Sequence, residues 1–175
     1  MNLKVICLNI WGGGLLDDAV KFLLEENPDI VLAQEVFSSE DESVEPRYRS
    51  HQVLATNLGF YSDFAPTYRD FDHTDGKSQR GNSIFSRFPI AETKISHFSI
   101  PYNEAYRDVP GNFHLCPRNL QHVKIEANSK EINVFNVHGP WDLDGDNFNQ
   151  QRRDMAEVIL REIKDKPNVI LGGDT

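Results

Sequence analysis

Cysteine is scarce in this 175-residue sequence: there are two, Cys7 and Cys116, far apart in the chain. A disulfide framework or a cysteine-rich zinc site cannot be built from them, and Cys7, inside an apolar run, is expected to be a buried free thiol. Long hydrophobic runs are also missing, since no stretch approaches the roughly 18 apolar residues of a membrane span. The N-terminus offers only Lys4 and a short apolar stretch broken at Asn9, unlike a secretory signal, so a cytoplasmic location is expected. Positive charge is in deficit, with 18 Lys+Arg against 27 Asp+Glu and a net charge of −9. Such a chain repels a phosphate backbone, so binding nucleic acid by bulk electrostatics is excluded unless a cation intervenes. Fixed-period repeats, linkers and low-complexity tracts are absent as well. What is present, 39% apolar, 10% aromatic and 26% charged residues, describes a soluble globular chain. At this length folding buries roughly 70% of the unfolded surface, enough for one core without staples.

The pattern along the chain is that of one α/β domain over residues 1–175. Leu3 to Ile10 is apolar on both faces, as in a strand buried within a layered structure, and Gly12-Gly13-Gly14 ends it. Asp17 or Asp18 is placed to cap a helix with Val20, Leu23 and Leu24 on one face, and Pro28 stops it before a second strand, Ile30 to Gln34. Ser38 to Pro46 is acidic and turn-rich, and Ser50 to Leu58 has helical spacing with Gly59 as its stop. Short β-compatible runs follow at Phe60–Ala65, Asn82–Ser86, Ala91–Ile100, Asn119–Ala127 and Ile132–His138, the last pair closed by a turn at Asn128-Ser129-Lys130. Gln151 to Lys166 is amphipathic, with Met155, Val158, Ile159 and Ile163 inward, and Val169 to Leu171 is a final strand.

Four of these strands run into polar residues at their C-terminal ends: Asn9, Gln34-Glu35, Asn136 with His138, and Gly173-Asp174. Burial alone does not select such residues. Strands lying side by side bring their ends to one rim, where rigid elements hold reactive groups. Carboxylates there suit a hard cation such as Mg²⁺ or Mn²⁺, which keeps several waters and accepts a phosphate oxygen. A second carboxylate can orient an attacking water, and a histidine can donate to phosphoryl oxygens as charge builds.

The strings Leu8-Asn9-Ile10-Trp11, Ala33-Gln34-Glu35-Val36, Gly81-Asn82-Ser83-Ile84-Phe85-Ser86-Arg87, Asn136-Val137-His138 and Ile170-Leu171-Gly172-Gly173-Asp174 carry a resemblance. In order, spacing and strand context they resemble the successive motifs of the endonuclease/exonuclease/phosphatase superfamily, which includes exonuclease III type enzymes, deoxyribonuclease I, neutral sphingomyelinases and inositol polyphosphate phosphatases. The resemblance implies two packed mixed β-sheets flanked by helices, a four-layer α/β sandwich. It implies metal-dependent hydrolysis of a phosphodiester, with Glu35 as principal metal ligand, Asn9 beside the metal, Asp174 orienting the water and His138 contacting the scissile phosphate. Arg118 and Asn136 are the matching candidates for holding substrate. The implied cofactor is Mg²⁺ or Mn²⁺ and the implied substrate a phosphate ester, nucleic acid ahead of lipid.

One departure stands out. The chain stops at Asp174-Thr175, before the asparagine of the family's Gly-Asp-x-Asn motif and without its downstream Asp-His pair, so it is expected to be the N-terminal portion of a longer enzyme whose C-terminal part is missing. Two rival functions follow: a phosphomonoesterase acting on a small or lipid-linked phosphate, and an inactive fragment serving as a binding module. Each motif also has an ordinary structural reading, Asn9 as a turn former, Glu35 as a surface carboxylate, His138 as a satisfied histidine and Gly173-Asp174 as a turn. Other features resolve against chemistry. Gly12-Gly13-Gly14 lacks the third glycine of a dinucleotide loop and any following Gly-Lys-Ser/Thr. His114 and Cys116 lack a second ligand pair of zinc spacing. Asp142, Asp144 and Asp146 lack the closing glutamate of a calcium loop, since position 153 is Arg153. Arg69, Lys77, Arg80 and Arg87, interleaved with Tyr68, Phe71 and Phe85, form either a polyanion groove or a solvated face.

Overall fold

The fold is taken from a computed structural model, which describes residues 2–141 and 148–175. The loop carrying Asp142, Asp144 and Asp146 lies outside the described residues. In chain order the elements are β1 (Val5–Asn9), α1 (Leu16–Glu26), β2 (Ile30–Ser38), α2 (Ser50–Leu58), β3 (Tyr61–Asp70), β4 (Ser78–Ser86), β5 (Ile90–Phe98), β6 (Arg118–Ala127), β7 (Lys130–His138), α3 (Gln150–Ile163) and β8 (Val169–Asp174), with short 3-10 turns at Pro46–Arg49 and Phe113–Leu115.

Two four-stranded mixed sheets result, ordered β1-β2-β4-β3 and β5-β6-β7-β8. Each has one parallel pair, β1 with β2 and β7 with β8, the rest being antiparallel. The period of two along the strands sorts their side chains into layers. Val31, Ala33 and Phe85 face outward onto Leu16, Ala19 and Leu23 of α1 and Leu54 of α2. Ile30, Leu32 and Ile84 face inward onto Val123, Ile125, Ile132 and Val134 of the second sheet. Phe98, Leu120, Phe135 and Val137 face out on the far side, against Val158, Met155, Ile159 and Ile163 of α3. The order is helix, sheet, sheet, helix, as the motif series implies.

Local chemistry explains several boundaries. Gly59 ends α2 in the left-handed region at φ 63°, its N–H donating to Ala55 O at 2.9 Å. Asn128 and Ser129 both take positive φ, 51° and 62°, which matches the twist of the β6–β7 hairpin. Asn149 caps α3, its side chain accepting from Arg152 N at 2.9 Å.

Four expectations are corrected. β1 is an edge strand, not a strand covered on both faces: among the described residues β2 is its one hydrogen-bonded neighbour, and Cys7 is exposed. Neither Asp17 nor Asp18 caps α1. The helix starts at Leu16, with both in its first turn, where their charge suits the positive end of the helix. Leu24 is exposed, since Leu16, Ala19 and Leu23 form the buried stripe. β3 continues past Ala65 to Asp70, because Pro66 sits where the pairing with β4 shifts, at an irregularity that tolerates a residue without an N–H. β4 likewise starts at Ser78, ahead of the expected Asn82, so that β3 and β4 form a longer hairpin.

Candidate active site

The inner layer changes character toward one end of the sandwich. Beyond Ile30 and Leu32 the facing residues become amides: Gln34, Asn82, Asn119, Gln121 and Asn136, all almost wholly buried. Gln34 Nε2 donates to Asn136 Oδ1 at 2.6 Å, Asn136 Nδ2 donates to Ala33 O and Ser83 O at 3.0 Å each, and Asn82 Nδ2 donates to Asn119 Oδ1 at 3.2 Å. Buried amides satisfied in this way lock one register between the sheets. Asn136, expected to hold substrate, belongs to this layer. Its side chain is buried beneath the rim and ties the first sheet to the second.

Above the amide layer the ends of β1, β2, β7 and β8 converge on a cleft of about 1010 Å³. Asn9 ends β1 opposite Gln34, and His138 ends β7 opposite Asp174 in the parallel register with β8. Glu35 is presented differently. The pairing of β2 with β4 is irregular between Ala33 and Val36, and Glu35 there takes φ 57°, a left-handed conformation. A bulge of this kind takes a side chain out of the ladder and re-aims it, and a glutamate held so costs on the order of 1–3 kcal/mol. Strain of this kind is typical of functional positions.

The groups meet closely. His138 Nε2 lies 4.0 Å from both Glu35 Oε1 and Asp174 Oδ2. Asn9 Nδ2 donates to Asp174 Oδ2 at 2.9 Å, while Asn9 Oδ1 accepts from Trp11 N at 2.8 Å. Arg118 Nη1 donates to His138 Nδ1 at 2.8 Å. Since guanidinium has only donors, Nδ1 is the acceptor and the ring proton sits on Nε2, toward the carboxylates. Burial, then the Arg118 and Arg80 cations, hold the His138 imidazole well below its ordinary pKa. The histidine is therefore a neutral donor of fixed orientation. Arg118 Nε is buried with no partner among the described residues, a donor left over beside the cleft.

Five of the six expected site residues, Asn9, Glu35, Arg118, His138 and Asp174, are thus brought together. Beside them is a network that the motifs do not include. Arg80 Nη2 donates to Glu35 Oε2 at 2.6 Å, and Arg80 Nη1 donates to Asp108 Oδ2 at 2.5 Å and to Tyr68 OH at 3.0 Å. Tyr68 OH in turn donates to Asp108 Oδ2 at 3.0 Å. Burial disfavours the Arg80 cation, but Tyr68, Glu35 and Asp108 together outweigh it and raise its pKa above the ordinary value. Of the four basic residues that could line a groove, Arg80 does. Arg69 pairs with Glu104, Lys77 with Asp41 and Arg87 with Asp29. The position of Arg80 directly before Gly81-Asn82 is a signal that could have found it, whereas Asp108 lies in a loop without pattern.

The donor set suits a hard divalent cation. Glu35 Oε1 accepts no hydrogen bond from a described residue, Asp174 is half exposed, and Asn9 adds an amide oxygen beside it. Among the described residues no three His, Cys, Asp or Glu side chains close into a cage. A cation held by one or two carboxylates takes its other ligands from water and substrate, which is how Mg²⁺ is usually bound.

The arrangement, two mixed sheets with carboxylates, an imidazole and an amide at their converging strand ends, defines a class before any particular relative is considered. The sequence matches the model of the Endonuclease/Exonuclease/phosphatase family over residues 6–175, and the chain belongs to that family. No curated protein matches it significantly. Among solved structures it resembles an endonuclease/exonuclease/phosphatase from Beutenbergia cavernae DSM 12333, at 17% identity and a TM-score of 0.69, over 97% of this chain and 46% of that one. D. rerio TDP2 complexed with a single-strand DNA product matches at 19% identity and 0.66, over 98% and 60%. Sphingomyelinase C from Streptomyces griseocarneus matches at 16% and 0.61, over 98% and 63%. The chain thus spans about half to two thirds of the length of these proteins, and at these identities the likeness is one of fold.

Proposed function

We propose that the chain carries the metal-binding site of a phosphoester hydrolase, acting on a phosphodiester with Mg²⁺ or Mn²⁺. The observation that carries this is the meeting of Glu35, Asp174 and a neutral His138 at one cleft, with His138 Nε2 4.0 Å from each carboxylate. Glu35, with Asn9 beside it, would hold the cation, which when bound neutralises phosphoryl charge. Asp174, itself held by Asn9, orients the attacking water and takes up its proton. His138 keeps its Nε2 proton because Arg118 occupies Nδ1, and it donates that hydrogen bond to a phosphoryl oxygen as charge develops. Arg118 places positive charge behind it. Arg80 holds Glu35 in its strained position. The two unpaired cysteines suit a reducing, cytoplasmic setting.

Hydrolysis of bis-p-nitrophenyl phosphate against p-nitrophenyl phosphate, each with Mg²⁺, Mn²⁺ or EDTA, tests this. Metal-dependent release from the diester is expected. Cleavage of the monoester alone would favour a phosphatase, and no cleavage under any condition would favour a binding module.

A further inference from the structure

The chain has two tryptophans, and both line the active-site cleft. Trp11 follows the end of β1, two residues after Asn9, and Trp141 follows the end of β7, three residues after His138. They therefore belong to opposite sheets, on either side of the seam where the reactive groups meet. Neither is used as core. Trp11 is 72% exposed and Trp141 47%. The local backbone is built to present Trp11, since the residue takes φ 52° and is pinned by Asn9 Oδ1 at its N–H and by Gly14 N at its carbonyl, 2.9 Å away. Gly13, at φ 74°, lets this loop close onto the segment of Arg47, where a Cβ would lie 2.4 Å from Arg47 O. Trp141 is steadied edge-on by Phe113, with ring centroids 5.3 Å apart at 88°.

We infer that Trp11 and Trp141 form two base-stacking subsites, one on each side of the scissile phosphate, and that the substrate is a single-stranded nucleic acid. This rests on the phosphodiester reading above. A ligand crossing the seam meets an indole, then the catalytic groups, then a second indole, the order of base, phosphate and base in a dinucleotide step. Stacking of this kind needs unpaired bases. Although the chain as a whole carries −9, the cleft sets Arg47, Arg80, Arg118 and Arg152 against Glu35, Asp108 and Asp174, so its lining lacks the acidic excess of the whole chain and can admit a phosphate backbone. Those cations also argue against a choline headgroup, which aromatic rings would otherwise cage. The Arg47 guanidinium lies 4.7 Å from the centre of the Tyr48 ring and that of Arg80 5.6 Å from Phe37, so ring faces that could receive a quaternary ammonium already face a like charge.

Indole emission reads the contact directly, because both fluorophores lie at the proposed subsites. The full chain is titrated in EDTA, at low salt, with a single-stranded oligothymidylate, an abasic oligomer of the same phosphate count, a duplex of the same length, and phosphocholine. The oligothymidylate is expected to quench emission and to bind about tenfold or more tighter than the abasic strand, with the duplex no better than the abasic. Trp11→Ala and Trp141→Ala should each weaken oligothymidylate binding by about tenfold and leave abasic binding unchanged. Equal affinity for the two strands, unchanged binding by both variants, no quenching at all, or tighter binding of phosphocholine would each overturn the inference. Diester hydrolysis without base-dependent binding would remove the subsites and leave the proposed activity. Base-dependent binding without any hydrolysis would do the reverse.

Discussion

Lowering the pH should destabilise this protein through His51 before its carboxylates begin to protonate. The side chain lies in the first turn of α2, its Nδ1 3.0 Å from Ser83 Oγ and its Nε2 3.3 Å from Ser62 Oγ. Its ring stacks on Phe85 at 5.3 Å. Burial lowers its pKa from 6.5 to about 4. In the unfolded chain the imidazole takes up its proton near 6.5, whereas the folded protein resists until about 4. Between those values the unfolded state binds more protons, so stability falls as pH falls. At about 1.4 kcal/mol per pH unit the full window is worth about 3 kcal/mol, against a total stability on the order of 5–15 kcal/mol. His97, His122 and His138 are lowered too, burial being the first cause in each, so the wild-type slope alone does not isolate His51. His51→Gln does, because the amide reaches the same hydroxyls and does not titrate. Urea unfolding followed by far-ultraviolet circular dichroism, from about pH 7.5 to about 4.5 at constant ionic strength, compares the two. The variant should be less stable by about 1–2 kcal/mol at neutral pH and should converge on or overtake the wild type by the acid end. A gap that stays constant across the series would refute the reasoning.

Arg80→Leu should cost about 3–5 kcal/mol in the same unfolding assay, because it strands the part-buried carboxylates of Glu35 and Asp108 together, and unchanged stability would show that the network is not holding them. Glu35→Gln should abolish metal-dependent diester turnover yet cost only about 1 kcal/mol of stability, since the amide oxygen still accepts from Arg80 and Asp108 remains. Near-wild-type turnover would remove Glu35 from the chemistry. Asn136→Leu should destabilise by about 3 kcal/mol, because the buried carbonyls of Ala33 and Ser83 and the Gln34 amide lose their partner, and a neutral effect in urea unfolding would mean that the amide layer does not join the sheets.

The parts of this molecule that are legible in its sequence are those where a local rule and a global role coincide. β2 shows why Glu35 could be found: an apolar run with no polar residue until Gln34-Glu35 leaves those two without a packing reason, and the fold uses one to bridge the sheets and the other in the cleft. His138 is legible on the same ground, since six buried apolar or amide positions precede it on β7. The same logic singles out Asn136 without giving its depth, because alternation along a strand says which residues share a face but not how deep that face lies. Its parity puts it with Ile132 and Val134 in the inner layer, under the rim. β1 fails for a related reason. Hydrophobicity on both faces marks a strand that could be covered on both, whereas exposure of Cys7 depends on which elements stand beside it, a property of topology. The pairing of Arg80 with Asp108 lies furthest from reach. The two sit 28 residues apart, one on β4 and one in an unpatterned loop, and meet only because the register of β4 against β2 places Arg80 opposite Phe37, beside the bulge that frees Glu35. The strain at Glu35 and the cation that holds it are thus two products of one irregularity in strand pairing, and pairing between distant strands is where a single sequence carries least information.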